Sequence, residues 1–211
     1  MIAAPGKQGD TSDMLVTAAI CLFAERGFHG LSLRAVAEAA GAKNTAAVHY
    51  HFGDREGLLR ACLERVLAAS RAHVSGDSLE VCALAMPQLG GVHEILTHAF
   101  LPMLTLPARE DWGASGIKLL ARVVTGEAPE AARFLEEATA EDTKALADAL
   151  QDSLLGIERD ELIARLDCAY VSVVCGLAAL PYLRVASSNR TPTRLAPTLM
   201  SYVTGGVQGA R

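Results

Sequence analysis

The stretch GAKNTAAVHYHFGDREGLL, residues 41–59, interrupts a chain otherwise rich in Ala and Leu. His49, Tyr50 and His51 are consecutive, and Phe52, Gly53 and a charged run follow them. Three readings compete: a metal site, an acid–base site, or a surface that lies against a partner. Residues two apart on a helix point about 200° apart, so His49 and His51 cannot chelate one ion. The stretch divides more naturally into a turn, a short helix from Asn44 or Thr45 to Phe52, and the start of another helix after Gly53. A helix this short is unstable alone and must lean on neighbours. Val48 and Phe52, four apart, share one face and are its anchors.

The flanking sequence supplies those neighbours. Leu15, Ala18, Ala19, Leu22 and Phe23 mark one face of a helix from about Asp13 to Arg26, with Asp10, Thr11 and Ser12 as cap candidates and Gly27 as its stop. Ser32 caps a second helix, Leu33 to Ala40, whose inner face is Leu33, Val36, Ala37 and Ala40. Gly41 ends it. Asp54 caps a fourth helix running to about His73, with Leu58, Cys62, Leu63, Val66 and Leu67 as its apolar stripe. Two short helices around a tight turn make a helix-turn-helix candidate over 33–52. Its outward set is Lys43, Asn44, Thr45, Ala47, His49, Tyr50 and His51. Asn and Thr can bond base edges, and Ala or Thr can touch a thymine methyl. Tyr, His, Lys and Arg can reach phosphate oxygens, and Arg55 adds charge at a helix start. Tyr50 can equally be a half-buried core aromatic, and His51 can pack under Phe52.

Net charge is −5, which argues against a simple polyanion glue. The distribution is uneven. Residues 1–75 hold 8 basic and 7 acidic side chains, against 11 and 17 beyond. A less acidic N-terminal part suits a polyanion, with the acidic part turned away. Hydrophobic residues make up 51% of the chain and charged ones 20%, enough for a real core. The five cysteines are scattered without a C-x-x-C pair, so neither a disulfide framework nor structural zinc is expected. The N-terminus lacks the apolar core of a signal peptide, and no uncharged run suits a membrane span, so a cytoplasmic protein is expected.

Beyond a break at Ser75–Asp77 the chain reads as helices near 91–106, 111–125, 129–155, 159–184 and 191–205, punctuated by Pro107, Pro129, Gly156 and Pro192. Segment 78–90 is ambiguous. No strand pattern appears. The fold class is all-α, about nine helices, with domains over 11–72 and 78–206.

From Leu15 to Leu59 the sequence resembles the DNA-binding domain of TetR-type transcriptional regulators. The resemblance extends over about residues 11–65. It rests on the A-A-x-x-L-F run, the ERGF end of the first helix, Ser32 with Arg34 two residues on, AAG before the turn, the YHF end and the acid-plus-Arg start after Gly53. It implies a helix-turn-helix head that binds double-stranded DNA, with Ser32, Arg34, Tyr50, His51 and Arg55 on phosphates and Asn44, Thr45 and His49 near bases. Two departures stand out. The interval from Gly41 to Phe52 is one residue longer than usual, and Ala46, Val48 and His49 replace the common Gly and Leu-Tyr.

The resemblance also implies a C-terminal ligand-binding and dimerisation domain, and a repressor that binds a near-palindromic site as a homodimer. Apolar or aromatic character selects Phe100, Met103, Leu104, Trp112, Leu119, Arg122, Phe134 and Tyr170 as candidate pocket residues for a largely apolar small-molecule effector. Trp112 can equally be a core residue. Segment 159–184 is apolar nearly all round, which nominates Leu162, Leu166, Val173, Leu177 and Leu180 for the dimer interface. Its small residues, Ala169, Ser172, Gly176, Ala178 and Ala179, would let a second copy approach closely. No cofactor or metal is expected, and no catalytic motif appears, so the protein is not expected to be an enzyme. The competing reading is a helical small-molecule carrier or enzyme whose N-terminal helices are only structural.

Overall fold

The computed structural model describes residues 8–42, 44–71, 91–179 and 192–209. Among them are nine helices and no strand: α1 (Gln8–Arg26), α2 (Leu33–Ala39), α3 (Ala46–Phe52), α4 (Arg55–Arg71), α5 (Val92–Arg109), α6 (Gly113–Val124), α7 (Pro129–Gln151), α8 (Arg159–Ala179) and α9 (Pro192–Gln208). The break at Ser75–Asp77, segment 78–90, Lys43 and Leu180 lie outside the described residues.

Helix α1 begins at Gln8, ahead of Asp13, so Thr11 and Ser12 lie inside it rather than capping it. Leu15, Ala19, Ile20 and Phe23 are fully buried. Gly27 closes the helix with φ +73° and donates its N–H to Phe23 O at 3.0 Å, a backbone geometry that favours glycine. Ser32 caps α2 as expected: Ala35 N–H donates to Ser32 Oγ at 3.2 Å. Asp54 caps α4 in the same way, its Oδ1 accepting from Gly57 N at 2.8 Å.

Helix α5 runs through Pro107 to Arg109 instead of stopping at residue 106. The two internal prolines remove backbone donors, and side chains add others. Thr105 Oγ1 donates to Leu101 O at 2.9 Å, and Arg109 Nη2 donates to Pro102 O at 2.8 Å and across to Ala69 O of α4 at 2.8 Å.

One apolar cluster extends from Leu15 to Val207, so α1–α4 and α5–α9 share a core. Helix α6 lies at its centre, packed on α1, α5 and α8. Gly116 of α6 makes room for two further neighbours: a Cβ there would lie 3.1 Å from both the Trp112 ring and Val66 of α4. Trp112 is 5% exposed, which settles its position in the core, with the Arg65 guanidinium 5.2 Å from its ring centre.

Helix α8 is long and apolar enough, by length and composition, to cross a membrane. In this fold Leu162, Leu166, Val173 and Leu177 bury one of its faces within the protein. These four were expected at a dimer interface; within the protomer Leu162 and Val173 are fully buried, and Leu166 and Leu177 are 2% and 9% exposed. Gly176 also serves the protomer, since a Cβ there would lie 3.0 Å from Leu199 of α9. The outward side of α8 carries Glu161, Ala164, Cys168 and Val171.

Candidate nucleic-acid interface

Helix α3 is held by one fully buried residue, Val48, with Phe52 half-buried beside it. It packs on α1, α2 and α4. The junction with α4 is tight, because a Cβ on Gly57 would lie 2.1 Å from Phe52 O. Only glycine brings the two backbones so close. Nothing in the helical periodicity signals this, although a glycine three residues after a capping Asp was visible.

With Val48 inward, Ala46, His49 and Tyr50 face outward and are exposed. Ala47 was expected there, but it is half-buried against the core. Residues 47, 48, 51 and 52 form the inner side of the helix, so Ala46 takes the outward place one position earlier. Tyr50 is 74% exposed, which removes the core alternative. Its ring meets the His51 ring edge-on, centres 5.2 Å apart. His51 is half-buried, 5.8 Å from the Phe52 ring centre.

Several expected contact residues already have intramolecular roles. Asn44 Oδ1 accepts from Ala46 N at 3.0 Å and so starts α3. Thr45 occupies the cap position without a side-chain bond. His49 Nδ1 lies 2.7 Å from Gly53 O. Ser32 Oγ is the α2 cap. Arg34 Nε donates to Glu38 Oε1 at 2.8 Å on the exposed side of α2, and that bond, then the carboxylate's charge, raises the Arg34 pKa. Arg55 Nη1 donates to Phe28 O at 2.9 Å and ties α4 to the loop after α1.

The expected pocket residues lie in and around the apolar core. Phe100, Met103, Trp112 and Leu119 are buried in the core, with Leu104 packed at its edge. Phe134 lies under Arg60 of α4, 5.1 Å from ring centre to guanidinium. Arg122 is already engaged within the protein. It faces the end of α1, donating from Nε to Ala24 O at 3.0 Å and pairing with Glu127 at 2.7 Å. Trp112 Nε1 and Tyr170 Oη are buried with no hydrogen-bond partner among the described residues. Burial pushes the Tyr170 pKa up. A groove of about 690 Å³ lies elsewhere, between α8 and α9, lined by Glu161, Arg165, Cys168, Ser172, Tyr202 and Gly206 among others.

A helix-turn-helix head with an outward-facing third helix, carried on a helical body, defines a class of regulatory protein. Residues 15–62 match the TetR family of bacterial regulatory proteins, and residues 98–206 match the tetracyclin repressor-like C-terminal domain. The chain belongs to the TetR family. It is 32% identical over 111 residues to the HTH-type transcriptional repressor AcnR of Corynebacterium glutamicum, covering 53% of this chain and 50% of AcnR. AcnR of Corynebacterium diphtheriae is 28% identical over 140 residues, covering 66% and 64%. The chain thus spans about half of one curated relative and under two thirds of the other. In fold, it matches a TetR-family regulator from a Rhodococcus species with a TM-score of 0.62 at 19% identity, covering 94% of this chain and 97% of that one.

Proposed function

We propose that the protein is a DNA-binding transcriptional repressor that acts as a homodimer and releases its operator when a small molecule binds. The outward face of α3 carries this reading. Ala46, His49 and Tyr50 are exposed while Val48 is fully buried, the arrangement a recognition helix needs. The similarity to two repressors supports it. A repressor acting on DNA belongs in the bacterial cytoplasm.

One such head makes few base contacts, so two must act together. The outward sides of α8 and α9 are the dimer face in this reading. Tyr202 is 72% exposed and Val171 40% exposed there, beside the groove with its small residues. For the effector, the buried Trp112 Nε1 and Tyr170 Oη, without a partner among the described residues, are donors that would hold an acceptor on an otherwise apolar molecule.

In vitro selection from random duplex DNA, followed by anisotropy titrations across salt concentrations, tests the reading. Enrichment of a two-fold-related site is expected, with affinity falling as salt rises. Unchanged affinity in the Arg34→Ala, Tyr50→Ala double variant together with a flat salt response would sink it.

A further inference from the structure

The bond between His49 and Gly53 fixes which nitrogen the imidazole can offer to DNA. Nδ1 lies 2.7 Å from the Gly53 carbonyl oxygen. A carbonyl can only accept, so Nδ1 carries the proton and donates. In the neutral ring Nε2 then has a bare lone pair and is an acceptor. The ring is exposed on the same face as Ala46 and Tyr50, one helical turn from Ala46. Gly53 has φ +75° and ψ −71°, and its carbonyl lies within reach of the side chain four residues earlier. A residue with a Cβ is strained at that φ, so the glycine and the ring orientation belong together.

Building on the DNA-binding reading, we propose that His49 is a specificity-determining residue that reads a base through Nε2 as an acceptor, selecting the exocyclic amine of adenine or cytosine on the contacted strand. In the major groove, adenine N6 and cytosine N4 are the amine donors, while guanine O6 and N7 and thymine O4 are acceptors. A lone pair facing a lone pair is repelled. His49 therefore favours A or C over G or T at one position of each half-site. Phosphate oxygens only accept hydrogen bonds, so the neutral ring gains nothing from the backbone through Nε2. One hydrogen bond corresponds to a discrimination of about two- to tenfold at that position. The bond to Gly53 also holds the ring in one orientation before DNA arrives, which lowers the ordering cost of the contact.

Two measurements test this, at mildly alkaline pH where imidazole is neutral. Imidazole nitrogen NMR of the free full-length protein should show the Nδ1–H tautomer for His49. An Nε2–H tautomer overturns the proposal without touching the DNA-binding reading. Selections from one random duplex pool are then compared for the wild type, His49→Ala and His49→Lys. The wild type should enrich A or C at one position per half-site. His49→Ala should lose that preference alone, and His49→Lys, which can only donate, should turn it to G or T. Enriched sites identical for wild type and His49→Ala overturn the proposal and leave DNA binding standing. A wild-type pool that never enriches overturns both.

Discussion

Arg122 Nε donates to the Ala24 carbonyl at 3.0 Å, so a side chain of α6 caps the C-terminal end of α1. The positive guanidinium meets the negative end of the α1 dipole. A second nitrogen reaches Glu25 O at 3.4 Å, and a third holds Glu127 at 2.7 Å. The body of the protein thus grips the head at the helix that supports α2 and α3. Changing Arg122→Ala should cost about 2–3 kcal/mol of unfolding free energy, the scale of charged hydrogen bonds left unmade. Glu127→Ala should cost under about 1 kcal/mol, because that carboxylate is more exposed. Urea denaturation of both variants measures the difference, and equal losses would assign the effect to the ion pair instead.

In the DNA-binding reading, Glu38 competes with phosphate for Arg34. Their 2.8 Å pair lies on the exposed side of α2, the helix that precedes the turn. Glu38→Ala should free the guanidinium and remove a repelling charge, tightening binding to the selected duplex by about two- to fivefold. Arg34→Ala should weaken binding and reduce the slope of log affinity against log salt by about 1. Anisotropy titrations over a salt series read both. A Glu38→Ala variant that binds no tighter would mean that Arg34 does not reach phosphate.

Gly57 packs directly against the Phe52 carbonyl. An added methyl at 2.1 Å from that oxygen must move α3 or α4. Gly57→Ala should destabilise the protein by about 1–3 kcal/mol, the usual range for overpacking. It should also weaken DNA binding beyond the stability loss, since α3 is the element displaced. Thermal melts alongside DNA titrations well below the melting temperature separate the two effects.

The head was legible in the sequence because its signals are local. Ser32, Asp54, Gly27 and Gly41 each act within a few residues, and Val48 with Phe52 sets the inner side of α3. Ala46 and Ala47 could not be told apart, since alanine carries no polarity to mark its side. The His49 bond needs the positive φ of Gly53 and leaves no trace in composition. Farther along, an apolar residue on α8 fits a core or an interface equally well, so Leu162 and Leu166 read as partner contacts. Arg122 looked like a pocket residue because its partners are carbonyls far earlier in the chain, and every residue has a carbonyl. The helix boundary at Pro107 failed for a related reason: donors from Thr105 and Arg109 are tertiary and side-chain facts, not propensities.

Asp167 on α8 gives a prediction in pH. Asp167 is exposed, yet desolvation by the groups around it raises its pKa, and the Glu136 charge adds to this. The folded pKa is therefore above the unfolded one. Such a carboxyl favours folding most when protonated, below the unfolded pKa. That advantage disappears as pH rises through the folded pKa. Asp167→Asn should thus raise the melting temperature at neutral pH, with the gain shrinking as pH falls through the carboxylate range. Thermal melts from acid to neutral pH test this, and a gain independent of pH would point to packing rather than charge.

Residues of α8 and α9 make opposite predictions. Leu166 is 2% exposed in the protomer core, whereas Tyr202 of the neighbouring α9 is 72% exposed beside the groove. Leu166→Arg buries an unpaired charge and should unfold the protein. Tyr202→Arg should leave the helical circular dichroism intact and, in the dimer reading, shift sedimentation from dimer to monomer, because two copies related by a two-fold axis would bring the introduced charges together. DNA affinity should fall with it, since a single head keeps only one half-site's contacts. A Tyr202→Arg variant that still sediments as a dimer would move the interface away from this groove.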